Sequence, residues 1–188
     1  MTSFAEVADR VFVLRYPVLD VNVTLVLGDE RALLVDTLAT TEQARELATA
    51  VATLTDRPLA VVNTHHHFDH CFGNAVFADA PVYAHPEAAA LLALADPAEL
   101  CREWAPTHPG LDRLRTTEVR VPDRLVVHEQ AVDLGDRVVV LCHPGRGHTA
   151  GDLVAHVPDA GVVVAGDLVE ESGPPQFEDA FPLEWPDA

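Results

Sequence analysis

Six consecutive positions, His65-His66-His67-Phe68-Asp69-His70, hold four imidazoles and one carboxylate. That mixed nitrogen and oxygen donor set is the one a borderline divalent cation such as Zn²⁺ takes. In an extended segment successive side chains alternate, so His65 and His67 share one side and His66 points to the other. The first pair can therefore hold one ion, and His66 is expected in a structural or supporting role. The bland alternative is a surface histidine tract that binds metal adventitiously. The context argues against it: the apolar run Leu59-Ala60-Val61-Val62 leads directly into the cluster, which places the cluster at the end of a buried strand. Strand ends and their loops are where α/β folds keep their chemistry.

The elements that must position this cluster are legible on either side of it. VFVLR (11–15), VNVTLVL (21–27) and RALLVD (31–36) are rich in Val and Leu and are separated by turn residues such as Gly28-Asp29-Glu30, predicting antiparallel strands. Thr40 followed by Gln43 is a capping-box pair, and Ala44, Leu47, Ala48, Val51 and Leu54 keep helical spacing to about Thr55. Between about 72 and 105 short helices are expected, with Pro86 at a first helical position and Asp96-Pro97-Ala98-Glu99 as a second start signal. Residues 105–122 show no period and read as an irregular wall or lid. Strands follow near 124–128, 131–134, 137–142, 152–157 and 162–165. The order fits two packed β-sheets with helices outside.

Composition bounds what such a site serves. At 188 residues and 48% hydrophobic content the chain suffices for one domain, 1–188. Its 12 basic residues against 30 acidic ones, a formal −18, would repel nucleic-acid phosphates and anionic membranes, so neither is expected as a partner. A small-molecule substrate is expected instead; oligomeric state cannot be read. All the basic residues are arginines, which removes lysine Schiff-base chemistry. The first residues lack a basic-then-apolar leader pattern, no apolar run reaches membrane length, and Cys71, Cys101 and Cys142 are odd in number and widely spaced. A cytoplasmic location is the expectation.

Thr64 to His70 matches the T-H-x-H-x-D-H hallmark of the metallo-β-lactamase superfamily at every fixed position, and the chain resembles that family elsewhere in the right order. Asp36, closing Leu33-Leu34-Val35, looks like the family's first motif, an aspartate supporting the metal loop from behind. Gly147-His148-Thr149-Ala150-Gly151-Asp152 looks like the third, and Val164-Ala165-Gly166-Asp167 like the fourth. The resemblance, running from about residue 10 to 170, implies an α/β (α+β) four-layer αβ/βα sandwich. It implies a first metal held by His65, His67 and His148 with a position open for water, and a second held by Asp69 and His70, with Asp167 shared. One or two Zn²⁺ ions, or iron, are the implied cofactors. The implied activity is hydrolysis by a metal-bound hydroxide, with Asp69 as the catalytic residue that orients the nucleophile and receives its proton.

Two departures qualify the likeness. The family's fifth motif is a histidine well after the bridging aspartate, and none follows His156, so the expectation is a domain lacking its last strand and outer helix. Without that histidine the second metal would be weak. The His-rich loop followed by Gly73-Asn74 resembles thioesterases of the glyoxalase II type, yet no basic region is visible for glutathione carboxylates and their C-terminal helical domain is absent. The lysine that many β-lactam-binding sites use is also missing. A small ester, thioester or lactone is the expected substrate. Two alternatives remain open: an iron enzyme resembling the persulfide dioxygenases, and a non-catalytic zinc-binding remnant. Cys71 is read as core rather than a ligand, Cys101 and Cys142 as core, and His143 and Arg146 as loop structure. Tyr16-Pro17 resembles the family's site-facing hairpin loops, and Trp104 either lines a pocket or fills a core gap.

Overall fold

A computed structural model describes residues 3–171 and 173–188. Strands β1 (Ala5–Ala8), β2 (Val11–Tyr16), β3 (Val21–Leu27) and β4 (Ala32–Val35) form an antiparallel meander. Strands β5 (Leu59–Val62), β6 (Val82–Ala84) and β7 (Arg124–Leu125) then add in parallel, completing a seven-stranded mixed sheet. A second, antiparallel sheet holds β8 (Glu129–Asp133), β9 (Val138–Cys142), β10 (Val154–Val157) and β11 (Val162–Val164), in the order β11-β10-β9-β8.

The period-2 alternation of the central strands explains why the sheets stack. Leu33 and Val35 of β4, with Ala60 and Val62 of β5, face Val139, Leu141, Ala155 and Val157 of the second sheet. Leu34 and Val61 point the opposite way, onto Leu47 and Val51 of helix α1 (Thr41–Ala52). All four β4 residues are fully buried, as expected of a strand covered on both faces. Helix α1 begins as predicted: Thr40 Oγ1 accepts from the Gln43 amide at 3.2 Å. The reciprocal bond shifts by one residue, Gln43 Oε1 taking the Ala39 amide.

Three short helices lie beyond β5: α2 (Phe68–Cys71), α3 (Pro86–Leu92) and α4 (Pro97–Trp104). Asp96 caps α4 by accepting from the Ala98 and Glu99 amides, and His85 caps α3 behind Pro86. Two strands escape the sequence reading. β1 is a mostly exposed edge strand, and β6 has three residues within the stretch expected to hold only helices. The irregular stretch 105–122 packs inward through Leu111 and Leu114, which join Phe68, Phe72 and Leu92 in a third apolar cluster. Cys71 is buried as expected, whereas Cys101 and Cys142 are only partly so. No described helix is long and apolar enough to cross a membrane.

Candidate metal centre

β5 ends at Val62, and the chain leaves the sheet edge through Asn63 and Thr64 into the histidine cluster. Two hydrogen-bond chains set the imidazoles. Asp36 is buried, at φ +66°, a left-handed conformation that aspartate tolerates better than most residues. Its Oδ1 accepts the Thr64 amide at 2.8 Å, and its Oδ2 accepts both Thr64 Oγ1 and His70 Nδ1 at 2.8 Å. Thr64 Oγ1 in turn lies 3.0 Å from His65 Nδ1. This network assigns the tautomers: both Nδ1 atoms carry protons, leaving the Nε2 lone pairs of His65 and His70 directed into the site. Asp36 therefore ties the His65–His70 loop from behind.

The loop that presents His148 is tied by Asp152. This buried carboxylate accepts from Thr149 Oγ1 at 2.7 Å, from the Thr149 amide and from the Gly147 amide. The Asp167 loop reaches the cluster through Gly166, whose φ is +57°. A Cβ there would sit 2.7 Å from Thr64 Cβ, so both conformation and space demand glycine.

These elements converge. Donor atoms of His65, His67 and His148 lie within 4.8 Å of one another, as do those of His65, His70 and Asp167. His148 Nε2 is 3.0 Å from His67 Nδ1. The Asp167 carboxylate straddles the two groups: Oδ2 is 3.7 Å from His148 Nε2 and 3.9 Å from His65 Nε2, while Oδ1 is 3.4 Å from His70 Nε2. Asp69 stands at the rim, with Oδ2 3.7 Å from His70 Nε2. It is outside both three-donor groups, the one expected ligand not drawn into them.

The donor set suits a cation. His65 Nε2 is buried and without a hydrogen-bond partner among the described residues, although it faces other nitrogen donors. Burial and the neighbouring imidazoles hold the His65 pKa well below its ordinary value, and His148 is pushed down to about 4, by burial first. Both imidazoles are thus neutral, as ligation requires. At His70 burial works against charge, yet Asp69, Asp36 and Asp167 together raise the pKa well above the ordinary value. That side of the site attracts positive charge.

The sequence reading missed Asp179, which no periodicity flags. Its Oδ1 lies 3.0 Å from His67 Nε2 and its Oδ2 3.3 Å from His66 Nε2. A carboxylate on Nε2 fixes the His67 tautomer and leaves Nδ1 for His148's side of the site. His66 and His67 thus reach the same carboxylate and form with it a further close donor group, so the alternation expected of an extended strand does not separate them here, where the strand has already ended. The segment carrying Asp179 is strapped to the His148 loop: the Phe181 amide donates to Gly147 O at 2.8 Å, and Trp185 meets the His148 ring edge-on at 5.6 Å. Arg146 forks onto Glu184, at 3.0 and 2.7 Å, and covers the Phe181 ring. His143 Nδ1 bonds Asp152 O, so both residues serve loop structure.

Residues 16–186 match the sequence profile of the metallo-β-lactamase superfamily. The chain belongs to the metallo-β-lactamase superfamily. Among curated relatives of this superfamily member, acyl-coenzyme A thioesterase MBLAC2 of Gallus gallus is 32% identical over 166 residues, covering 79% of this chain and 57% of the relative. The Bos taurus protein of that name is 31% identical over 167 residues, 79% of this chain and 58% of its own length. The chain thus spans somewhat over half the length of these relatives. Among solved structures, the metallo-β-lactamase from Pontibacter korlensis has a TM-score of 0.74 at 22% identity, covering 99% of this chain and 82% of that one. DIM-1 metallo-β-lactamase has a TM-score of 0.73 at 18% identity, over 98% and 79%. These likenesses establish that this superfamily member has the metallo-β-lactamase α/β sandwich fold.

Proposed function

We propose that the protein is a metal-dependent hydrolase of small thioesters or esters. The observation that carries this reading is the convergence of His65, His67 and His148, with buried His65 Nε2 unpartnered and Asp167 straddling the two donor groups. His65, His67 and His148 would hold the first ion; His70 and Asp167, with Asp69 at the rim, would hold a second. Bound there, zinc would acidify a water and polarise the scissile carbonyl.

The chain's own residues prepare that chemistry. Thr64 and Asp36 keep the His65 and His70 lone pairs inward, and Asp152 anchors the loop behind His148. Asp69, whose pKa is raised by burial and then by Asp167, is the group to receive a proton from the nucleophile. Leu19, Phe68 and Trp104 line the cavity that also holds His67, His148 and Asp167. The relatives named as thioesterases favour a thioester over a lactone.

The test is metal content by elemental mass spectrometry on protein purified without added metal, paired with thiol release from activated thioesters. Zinc with turnover, both lost in His67→Ala and turnover lost in Asp69→Ala, is the expected result. Zinc without turnover of any ester would leave a metal-binding remnant. Iron accompanied by oxygen consumption would instead mark a dioxygenase-like enzyme.

A further inference from the structure

The cavity over the His67–His148 side measures about 410 Å³ and has an unusual wall for a site that hydrolyses an acyl donor. Leu19, Phe68, Leu100 and Trp104 supply its apolar surface, and the rings of Phe68 and Trp104 meet edge-to-face at 5.4 Å. Around them stand Glu103, Glu170, Glu178 and Asp179, and no arginine is among the described lining residues.

Nearby arginines are already engaged. Arg146 is spent on Glu184 and Phe181, and Arg15, in the adjoining cavity, is forked onto Asp20 at 2.5 and 2.6 Å. In a binuclear centre the charges of Asp69 and Asp167 would offset two of the four positive charges of the ions. The remaining two are outnumbered by the four further carboxylates, and one ion would leave a larger negative excess. Glu170 borders both cavities, and its Oε1 is buried without a hydrogen-bond partner among the described residues, an acceptor in need of a donor. Electron-rich aromatic faces beside carboxylates attract cations and repel anions.

We infer that this cavity selects a substrate whose leaving group is cationic, or neutral with hydrogen-bond donors and an apolar portion, and that it disfavours an anionic one such as a nucleotide-bearing coenzyme A thiol. The inference rests on the hydrolase reading for its chemistry but on the cavity wall for its selectivity. Two of its carboxylates, Glu103 and Glu178, belong to none of the close donor groups and contribute charge to the wall without serving as ligands there.

The experiment uses the zinc-loaded full chain and four acetyl thioesters: of thiocholine (cationic), of 2-mercaptoethanol (neutral), of 3-mercaptopropionate (anionic) and of coenzyme A. Release of free thiol gives kcat/KM. The expected order is thiocholine above mercaptoethanol above the two anions, with at least a tenfold span carried by KM. The span should narrow between low and high ionic strength as screening grows. It should narrow again in the Glu103→Gln/Glu178→Gln variant. In parallel, non-hydrolysable thioethers of the same four thiols are titrated by calorimetry. If no thioester turns over, the hydrolase reading falls while the binding order still decides the charge preference. Equal or tighter binding of the anionic thioethers overturns the inference, whether or not turnover occurs.

Discussion

At the residue scale the proposed centre rests on carboxylates that touch its histidines from behind. Asp36 holds His70 directly and His65 through the Thr64 hydroxyl, so one side chain orients ligands of both donor groups. Asp36→Asn keeps the shape but forces an amide N–H or a weaker acceptor against these donors. Metal affinity should fall roughly 10–100-fold, measured by competition with a chromophoric chelator. Asp179→Asn removes charge only from the His67 end. It is expected to weaken the first ion by about tenfold while sparing thermal stability of the metal-free protein more than Asp36→Asn does, since the Asp179 side chain is 44% exposed where that of Asp36 is buried; a loss of melting temperature equal to that of Asp36→Asn would contradict this assignment. Asp36, Thr64 and the six expected site residues could be named in order along the chain, because metal-ligand chemistry calls for particular residue types at fixed spacing; the structure draws five of the six into close donor groups and leaves Asp69 at the rim. Asp179 was not, because an acceptor for a histidine N–H can arrive from any segment that happens to fold nearby.

At the scale of elements, the site is held by a strand end, two loops and a glycine. Gly166→Ala would force a left-handed residue to carry a Cβ and press it on Thr64. A cost of about 2 kcal/mol is expected in urea melts, with weakened metal binding, because Thr64 belongs to the Asp36 network. The meander is pinned to α1 at Tyr16, whose hydroxyl donates to Glu46 at 3.0 Å. Burial, followed by the Glu46 hydrogen bond and charge, pushes the Tyr16 pKa up to about 12. A pKa raised in the folded state means the stabilisation is full below the unfolded value of about 10 and is lost as pH rises toward 12. The protein should therefore lose stability across that window, and Tyr16→Phe should flatten the curve there. Tyr16 itself is buried and serves the fold; it is Leu19 and Asp20, further along that hairpin loop, that border the cavities.

For the whole molecule, the proposed metal centre makes metal binding and folding one equilibrium. The donor groups join β5 and its following loop to loops at Gly147–Asp152 and Gly166–Asp167, and the Asp179 segment is strapped across them. An ion that binds only the folded arrangement stabilises all of it, so stripping the metal with a strong chelator should lower the melting temperature by several degrees, with recovery on adding zinc. An unchanged melting curve would count against the centre as drawn. From the sequence by itself came the family, the two-sheet architecture, the capped helix α1 and five residues that the fold brings into close donor groups. Those features follow from local periodicity and from donor chemistry, both of which are written along one dimension. Only the tertiary structure decided that Asp69 sits at the rim, that Asp167 turns one oxygen to each donor group, and that Trp104 both packs on Phe68 and lines the cavity. It also decided the carboxylate character of the cavity wall. Glu103 comes from α4, and Glu170 and the adjacent Glu178 and Asp179 from the chain after β11, so their charges add only after folding has brought the two stretches around one space.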